Sequence, residues 1–431
     1  PRSPRGRPPQ NARHSAVPPA QAMPILKVAK TLWGVDEAAD TGKWDALFAR
    51  IKAEGFDGVE VIAPTWRADP ALLTSLLTKH GLALICQIHT TGGDIVGGEY
   101  VYCSSCKLDD HVASFEALVT EAAALKPALI NSHSGHDSWG SGEKARTFFR
   151  HALQVEARLG VTVVHETHRQ RLLYSPYPTA ELLALPELAA LKINADLSHW
   201  CCVCEHVFDA ADPRDEWWPA CLQLVARHCH FVHCRVGHTE GPQVTEPDAP
   251  EFSGEKASHF GWWRAIWKAQ AERGMQEVWA EPEHGPPPYL QTLPHTKLSS
   301  LVRPSSLKDL LTKGVMPADM ADLWDVNLRM AKQMREQHAV AIQGLGVSPP
   351  NSTPDASGTP SRLQDELAQL NRQRAQEPSD SPQQGRPTKS PAQQTKRASS
   401  LPSCAECKKL ISERDPLEGL NSDKYCTCQG V

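Results

Sequence analysis

The sequence predicts a (β/α)8 TIM barrel with disordered N- and C-terminal tails. Strand and helix signals alternate from residue 27 onward over about 260 residues, which is the usual size of such a barrel. Polar side chains recur at the ends of most of the eight expected strands, whereas a doubly wound open sheet would concentrate them at one switch point. The barrel is therefore favoured over the open sheet, which is its main competitor.

The individual elements follow from short apolar, β-branched runs for strands and from apolar stripes and terminal glycines for helices. Gly55 and Gly81, for example, follow two of the expected helices as C-cap residues would. A Gly-rich loop at 90–102 and a long insertion at 237–254 interrupt the alternation. Strands are expected at 28–34, 58–62, 82–89, 128–133, 230–235 and 277–283, with two more beginning at 161 and 191. Helices are expected at 42–54, 70–80, 109–125, 179–185, 216–227, 258–273 and 323–338, with another that ends near 159.

Composition changes at both ends of the barrel and divides the chain into four expected segments. Residues 1–26 are expected to form a disordered or transit-like leader, since residues 1–22 are rich in Pro and Arg and contain no acid. Residues 27–343 form the barrel with its last helix, and the Pro/Ser/Gln-rich residues 344–403 form a disordered linker. Residues 404–431 form a Cys-rich tail, in which a structural zinc knuckle competes with a free tail. The zinc ligands would be Cys404, Cys407, Cys426 and Cys428.

The overall composition limits the classes of partner. A formal net charge of -5 gives no electrostatic argument for binding nucleic acid. No apolar run is long enough to cross a bilayer, so no membrane partner is expected. The 13 cysteines are odd in number, and several lie in expected strands and helices, which indicates a reducing compartment. The expected location is the cytoplasm, with organellar targeting by the leader as an alternative.

Four of the expected strands end in a carboxylate or an imidazole. These residues are Glu166, Asp196, His233 and a glutamate of the eighth strand. Because the carboxyl ends of barrel strands meet at one face, the sequence predicts one divalent metal held by these four side chains. The ligand set suits Mn²⁺, Mg²⁺, Co²⁺ or Zn²⁺ and does not choose between them.

The glutamate of the eighth strand is either Glu281 or Glu283. The two are separated by one residue, so both point to the same side of the strand, and either could be the ligand. Glu283 is preferred because it lies last, beside Gly285 and a run of prolines where the backbone could leave the barrel mouth.

Further side chains at the strand ends are candidates for substrate binding. His199 could hold a substrate hydroxyl or a second metal. Arg169 and Arg235 could fix a phosphate, a carboxylate or a polarised carbonyl, or could form ion pairs with Glu166 and its neighbours. One of the two histidines beside Glu166, His165 and His168, is expected to face away from the site. The candidate substrate-binding set is His199, Arg235, His133, His89, Arg169 and Trp33.

Several short phrases of the sequence, taken together, are distinctive: His165-Glu-Thr-His-Arg169, Ala195-Asp-Leu-Ser-His-Trp200, Val232-His-Cys-Arg-Val-Gly237, Gly241-Pro-Gln-Val244, Pro282-Glu-His-Gly-Pro-Pro-Pro-Tyr289 and Ile130-Asn-Ser-His-Ser-Gly135. Through these phrases, residues from about 27 to 295 resemble the sugar phosphate isomerases/epimerases of the xylose-isomerase-like TIM-barrel superfamily. The resemblance implies a divalent metal on Glu166, Asp196, His233 and Glu283. It also implies that the two glutamates move a proton on opposite faces of a sugar, through a metal-stabilised enediolate. The expected partner is thus a small-molecule sugar substrate in carbohydrate metabolism, and a homo-oligomer is compatible with this interpretation.

Two alternatives stand beside an isomerase or epimerase. The superfamily also contains AP endonucleases with three zincs, and His89, His133 and His199 lie where their additional histidines would. No Asp-x-His follows the seventh strand, where the loop reads His238-Thr-Glu-Gly241, and this departure weakens the phosphodiesterase alternative. A non-catalytic binding scaffold is the other alternative, and the presence of all four metal-ligand candidates argues against it.

Overall fold

The computed structural model describes residues 23–96, 99–291 and 322–343. Eight parallel strands form a closed barrel in the order β1-β10-β9-β8-β7-β6-β3-β2, which confirms the predicted fold. A separate antiparallel hairpin, β4–β5, follows β3. The strands are β1 Ile25–Thr31, β2 Gly58–Ile62, β3 Ala83–His89, β4 Asp94–Val96, β5 Glu99–Val101, β6 Leu129–His133, β7 Val163–Glu166, β8 Ile193–Ala195, β9 Cys229–His233 and β10 Glu277–Glu281.

The helices surround the barrel, and several end as the sequence predicts. Gly81 follows α3 in the left-handed conformation (φ 62°), which a glycine adopts without strain. None of the described helices is long and apolar enough to cross a bilayer. The helices are α1 Trp44–Ala53, α2 Ala63–Ala68, α3 Pro70–His80, α4 Leu108–Ala123, α5 Glu143–Leu159, α6 Pro176–Leu183, α7 Ser198–Cys204, α8 Trp218–His228, α9 Ser253–Glu272 and α10 Leu323–Gln343.

The first strand lies earlier in the chain than the sequence indicated. β1 spans Ile25–Thr31 rather than 28–34, because Ile25 to Val28 pair in parallel register with Glu277 to Ala280 of β10. Lys27 and Lys30 interrupt the apolar pattern inside this strand, and that displaced the predicted start. The strand also begins before the predicted barrel boundary at residue 27.

The Gly-rich loop at 90–102 was expected to have no regular structure, yet it contains the β4–β5 hairpin. The short helices α2 and α7 were also not predicted. The predicted leader through residue 22, the linker at 344–403 and the zinc knuckle at Cys404, Cys407, Cys426 and Cys428 lie outside the described residues.

The barrel interior has an apolar lower layer and a polar upper layer. The lower layer is a buried cluster consisting of Ala29, Ile85, Leu129, Val164 and Phe231, with Trp279 packed against it. Because side chains on a strand return to the same face every second residue, the next inward layer comes two residues later on each strand. That layer is Thr31, Gln87, Asn131, Glu166, His233 and Glu281. The polar layer lies at the carboxyl ends of the strands, where barrel enzymes place their chemistry.

The last described helix, α10, packs against α9 and β1 and supports the segment after β10. The side-chain amide of Asn327 holds both backbone groups of His284. Its Oδ1 accepts from the His284 N–H at 2.9 Å, and its Nδ2 donates to the His284 carbonyl at 2.8 Å. A helix distant in sequence thereby fixes the residue that follows Glu283.

Candidate functional site

The four predicted metal-ligand candidates converge at the carboxyl end of the barrel. Glu166 and His233 end β7 and β9, Asp196 directly follows β8, and Glu283 follows β10. One potential ligand atom from each lies within 4.8 Å of the others, and all four side chains are buried. The Nδ1 atom of His233 is 3.0 Å from Oε2 of Glu283 and 3.6 Å from Oε2 of Glu166. Both carboxylates therefore lie beside the same ring nitrogen of His233.

The Glu166 carboxylate is anchored through one of its two oxygens. Oε2 accepts from Nδ2 of Asn131 at 2.6 Å and from Nδ2 of Asn194 at 3.3 Å, and it lies 2.8 Å from Nε2 of His133. The other oxygen, Oε1, is buried and has no hydrogen-bond partner within the described ranges. Burial alone would raise the pKa of Glu166, but His133 and His233 lower it well below its usual value. The site thus contains an oriented anionic oxygen that can bind a cation or accept a proton.

The Asp196 carboxylate is held by Ser198 and Arg235. Its Oδ1 accepts from the backbone N–H of Ser198 at 3.1 Å and from the Ser198 hydroxyl. The Arg235 guanidinium pairs with Oδ2 of Asp196, and its Nη1 lies 3.0 Å from Oε2 of Glu283. Arg235 is 1% exposed, and its charge is paired with the carboxylates of Asp196 and Glu283.

The pKa values of Glu281 and Glu283 are shifted in opposite directions. Burial raises the pKa of Glu281 well above its usual value, and the facing carboxylate of Glu60 raises it further. Burial also opposes ionisation of Glu283, but Arg235 and His233 lower its pKa below the usual value. Metal ligands are used in their deprotonated form, so Glu283 suits a cation better than Glu281 does.

Glu60 of β2 was not among the predicted site residues. Its Oε2 lies 3.3 Å from Nε2 of His233, and Glu60, His233, Glu281 and Glu283 form a second group with metal-ligand spacing. The signal in the sequence was a carboxylate inside an otherwise apolar strand, Gly58–Ile62, because such a group is costly to bury without partners.

A row of four imidazoles borders the predicted ligands. Ring centroids are 4.0 Å apart for His89 and His133, 4.5 Å for His133 and His168, and 3.8 Å for His168 and His199. Burial lowers the pKa of His89, His168 and His199 well below the usual value, so these rings are neutral at neutral pH. His133, Glu166 and His168 form a further group with metal-ligand spacing. The predicted His89, His133 and His199 therefore adjoin the candidate ligands.

Two tyrosines from different loops enclose the mouth of the site at His168. The Tyr102 hydroxyl, just after β5, lies 2.6 Å from Nδ1 of His168, and the Tyr289 hydroxyl lies 3.2 Å from Nε2. The Trp33 ring meets the edge of Tyr289 at 4.8 Å, and the Arg169 guanidinium lies 4.7 Å from the Tyr289 ring centre. Neither tyrosine was predicted as a site residue, although Tyr289 ends one of the family-like phrases. A cavity of about 520 Å³ opens at Tyr102. It is lined by Val101, Tyr102, Cys103, His136, Asp137 and Gln170.

His165 lies on the outside of the barrel wall, which confirms that one histidine beside Glu166 faces away. Its ring stacks on Phe115 at 5.8 Å and meets Phe149 edge-on at 5.0 Å. Its Nδ1 lies 2.6 Å from the Ser134 hydroxyl, and burial lowers the pKa of His165 to about 3. This histidine supports the wall behind Glu166 and faces away from the candidate ligands.

Comparison with known proteins agrees with this architecture. Residues 48–255 match the family model described as the xylose isomerase-like TIM barrel. Residues 48–255 thus form a xylose isomerase-like TIM-barrel domain. No curated protein matched the sequence.

Solved structures with a similar fold include proteins of several activities. A family 2 AP endonuclease from Brucella melitensis shares 18% identity, with a TM-score of 0.41 over 62% of this chain and 95% of that chain. A xylose isomerase-like TIM-barrel protein from Mycobacterium smegmatis in complex with magnesium shares 12%, with a TM-score of 0.44 over 73% and 97%. D-psicose 3-epimerase with D-tagatose from Clostridium cellulolyticum H10 shares 15%, with a TM-score of 0.40 over 74% and 97%.

Proposed function

We propose that this xylose isomerase-like barrel is a divalent-metal-dependent isomerase or epimerase that acts on a sugar or sugar phosphate by proton transfer. The observation that carries the proposal is the convergence of Glu166, Asp196, His233 and Glu283 from four different strand ends. Each of these side chains is buried, and Oε1 of Glu166 lacks a hydrogen bond within the described residues. Orphaned buried polar atoms are costly, and a cation bound by all four side chains would compensate them.

The four side chains fit a small divalent cation because three carboxylates and one imidazole are ligands that such ions prefer. When bound, the cation would supply positive charge beside the oxygens of the reacting carbons. Mn²⁺, Mg²⁺, Co²⁺ and Zn²⁺ all remain candidates for this role.

The protein would contribute the proton transfer. Glu166 and Glu283 both lie within 3.6 Å of Nδ1 of His233, and neighbouring cationic or imidazole groups lower both pKa values, which favours the anionic carboxylates. One carboxylate would take a proton from the carbon beside the carbonyl, and the other would return a proton from the opposite side. Asn131 and Asn194 would keep Glu166 oriented during this transfer.

The test combines metal content with proton exchange. Full-length protein purified without chelator should contain close to one divalent ion per barrel, and Glu166→Gln or His233→Ala should lose it. Metal-loaded wild type should incorporate solvent deuterium into a ketose or ketose phosphate, and chelator should abolish this exchange. Glu143→Gln is the matched control, because Glu143 is an exposed glutamate on α5, and it should retain both properties. A protein that binds no metal in the barrel would refute the proposal.

A metal-dependent phosphodiesterase resembling AP endonucleases is the second candidate. It is favoured by the group His133, Glu166 and His168, which offers a further set of ligand atoms that shares Glu166 with the first. The formal net charge of -5 gives no support for binding DNA. Three ions per barrel together with cleavage of abasic DNA would establish this activity, whereas one ion with ketose proton exchange would exclude it.

A further inference from the structure

The two arginines predicted to contact substrate have different environments. We infer from this difference that the site takes a substrate with an anionic group, phosphoryl or carboxylate, bound by Arg169. The inference rests on the proposed function and deepens it, because it names the class of sugar that the same site would accept.

Arg235 is fully used by the protein itself. Its Nε donates to the Ser198 hydroxyl at 3.2 Å, its Nη1 to the Glu283 carbonyl at 3.3 Å, and its Nη2 to Nε2 of His199 at 2.8 Å. The same guanidinium forms ion pairs with Asp196 and Glu283. All three nitrogens and the charge are therefore satisfied internally, and Arg235 positions the ligand cluster rather than the substrate.

Among the described residues, the Arg169 side chain has the Cys202 thiol as a hydrogen-bond partner but no carboxylate. It is half-buried at the mouth of the barrel, directly after His168, and its guanidinium lies over the face of Tyr289. Within the part of the chain that the structure describes, no carboxylate forms an ion pair with Arg169. A half-buried guanidinium that a ligand would cover needs an anionic partner, since covering it with a neutral group removes hydration without replacement.

Arg169 and Arg235 lie against the same aromatic ring, that of Tyr289. The Tyr289 ring centre lies 4.7 Å from the guanidinium carbon of Arg169 and 4.9 Å from that of Arg235. Arg169 is thus one aromatic ring away from the arginine that holds Asp196 and Glu283. A pentose or hexose whose carbonyl end lies among these carboxylates would extend its far end toward Arg169.

His199 supplies a second, independent sign of a polar ligand. An arginine can only donate, so the contact from Arg235 makes Nε2 of His199 an acceptor and places the proton on Nδ1. That Nδ1 is buried and has no hydrogen-bond partner among the described residues. His168 and Tyr289 surround it, and Gln170, which follows Arg169, lines the mouth cavity. An oxyanion beside Arg169 fits this environment because it accepts from both an N–H donor and a guanidinium.

The experiment uses the full chain loaded with Mn²⁺ and measures deuterium incorporation for matched pairs of ketoses. The pairs are D-ribulose with D-ribulose 5-phosphate, and D-fructose with D-fructose 6-phosphate and with its hexuronate analogue. The anionic member should react with at least about tenfold higher kcat/KM. Whether phosphate or carboxylate gives the larger preference identifies which anion the site takes.

Arg169→Met keeps much of the apolar stem and removes the charge. It should lower kcat/KM for the anionic member by about 10–100-fold and change the neutral member by less than about twofold, as loss of a charge-assisted contact predicts. Arg169→Lys should restore part of the preference. Arg214→Met, at an exposed arginine far along the chain, removes the same charge and should leave the preference intact.

The outcomes separate this inference from the proposed function. Equal loss for both members, or no loss for either, would overturn the inference while proton exchange kept the isomerase proposal standing. Absence of exchange with every sugar would reject the isomerase proposal, and equilibrium binding of D-ribose 5-phosphate would then decide on the anion site. A Kd at least about tenfold weaker in Arg169→Met than in Arg214→Met would support it, and equal Kd values would overturn it.

Discussion

His259 of α9 connects this helix to the loop after β9, and the connection requires a neutral imidazole. Its Nδ1 lies 2.8 Å from the carbonyl oxygen of Glu255, and the backbone N–H of Gly237 donates to its Nε2 at 3.2 Å. An imidazolium has no acceptor nitrogen, so protonation would break the bond from Gly237. The ring is fully buried, and burial lowers the pKa of His259 to about 4.

The size of the effect follows from this pKa. A group whose folded pKa lies below its unfolded value stabilises the fold above the unfolded pKa, and that contribution is lost as the pH falls toward the folded pKa. The change from 6.5 to about 4 corresponds to about 3 kcal/mol in full. Between pH 7 and pH 4.5, about 2 kcal/mol of the free energy of unfolding should be lost through this residue.

The perturbation is His259→Gln, whose side chain can donate and accept but does not titrate. Wild type should be the more stable protein at pH 7, and the difference in free energy of unfolding should shrink by about 2 kcal/mol at pH 4.5. Urea unfolding at both pH values, followed by tryptophan fluorescence, measures this difference. Both proteins contain every other histidine, so those contributions cancel. A difference that does not change with pH would refute the reasoning.

Two further substitutions test how the loops are held. Gly237→Ala would place a Cβ 2.8 Å from the Cβ and the carbonyl oxygen of Ser198, whose side chain anchors Asp196. We expect the affinity for a divalent metal to fall by at least about tenfold with the fold retained, because moving a residue that hydrogen-bonds a metal ligand typically costs this much. Titration against a chelating indicator measures the affinity, and an unaltered value would contradict the expectation. Arg171→Met removes the buried guanidinium that donates to the Tyr102 carbonyl. Residues 99–107 should then exchange amide hydrogens faster by mass spectrometry while the barrel strands stay protected, and equal protection in both proteins would show that the clamp is unimportant.

The ligand candidates could be selected from the sequence because the carboxyl ends of all the barrel strands meet at one face. Each strand is an apolar run followed by a polar residue, so the ends of the strands fall at the same height once the barrel closes. No knowledge of contacts between distant residues was needed to select Glu166, Asp196 and His233. The choice of Glu283 over Glu281 rested on position, and the opposite pKa changes of the two carboxyls now give it a physical basis.

The contacts of Tyr102 and Tyr289 with His168, at the mouth of the site, could not be predicted in the same way. Tyr102 is 66 residues from His168 and Tyr289 is 121 residues away, and no local pattern encodes contacts at such separations. The hairpin that brings Tyr102 to the mouth lies in a Gly-rich stretch with no hydrophobic period. Arg171 resembles an ordinary loop arginine in sequence, yet it is buried, with backbone carbonyls as its partners.

The role of Arg235 was left open between substrate and ion pair. Which alternative applies depends on the direction of one side chain, and a strand-end residue can turn either way. Its pairing with Asp196 and Glu283 becomes visible only when β8, β9 and β10 are adjacent.

The contact between Asn327 and His284 couples two events, docking of α10 on the barrel and binding of a cation at the candidate metal centre. Docking of α10 orders the backbone next to Glu283, so a cation that binds Glu283 must also favour the docked helix, by the same factor. A partner or a substitution that releases α10 would lower the affinity for the cation from a distance. Conversely, removal of a bound cation would loosen this helix, and protease sensitivity around residues 322–343 would report the occupancy of the site.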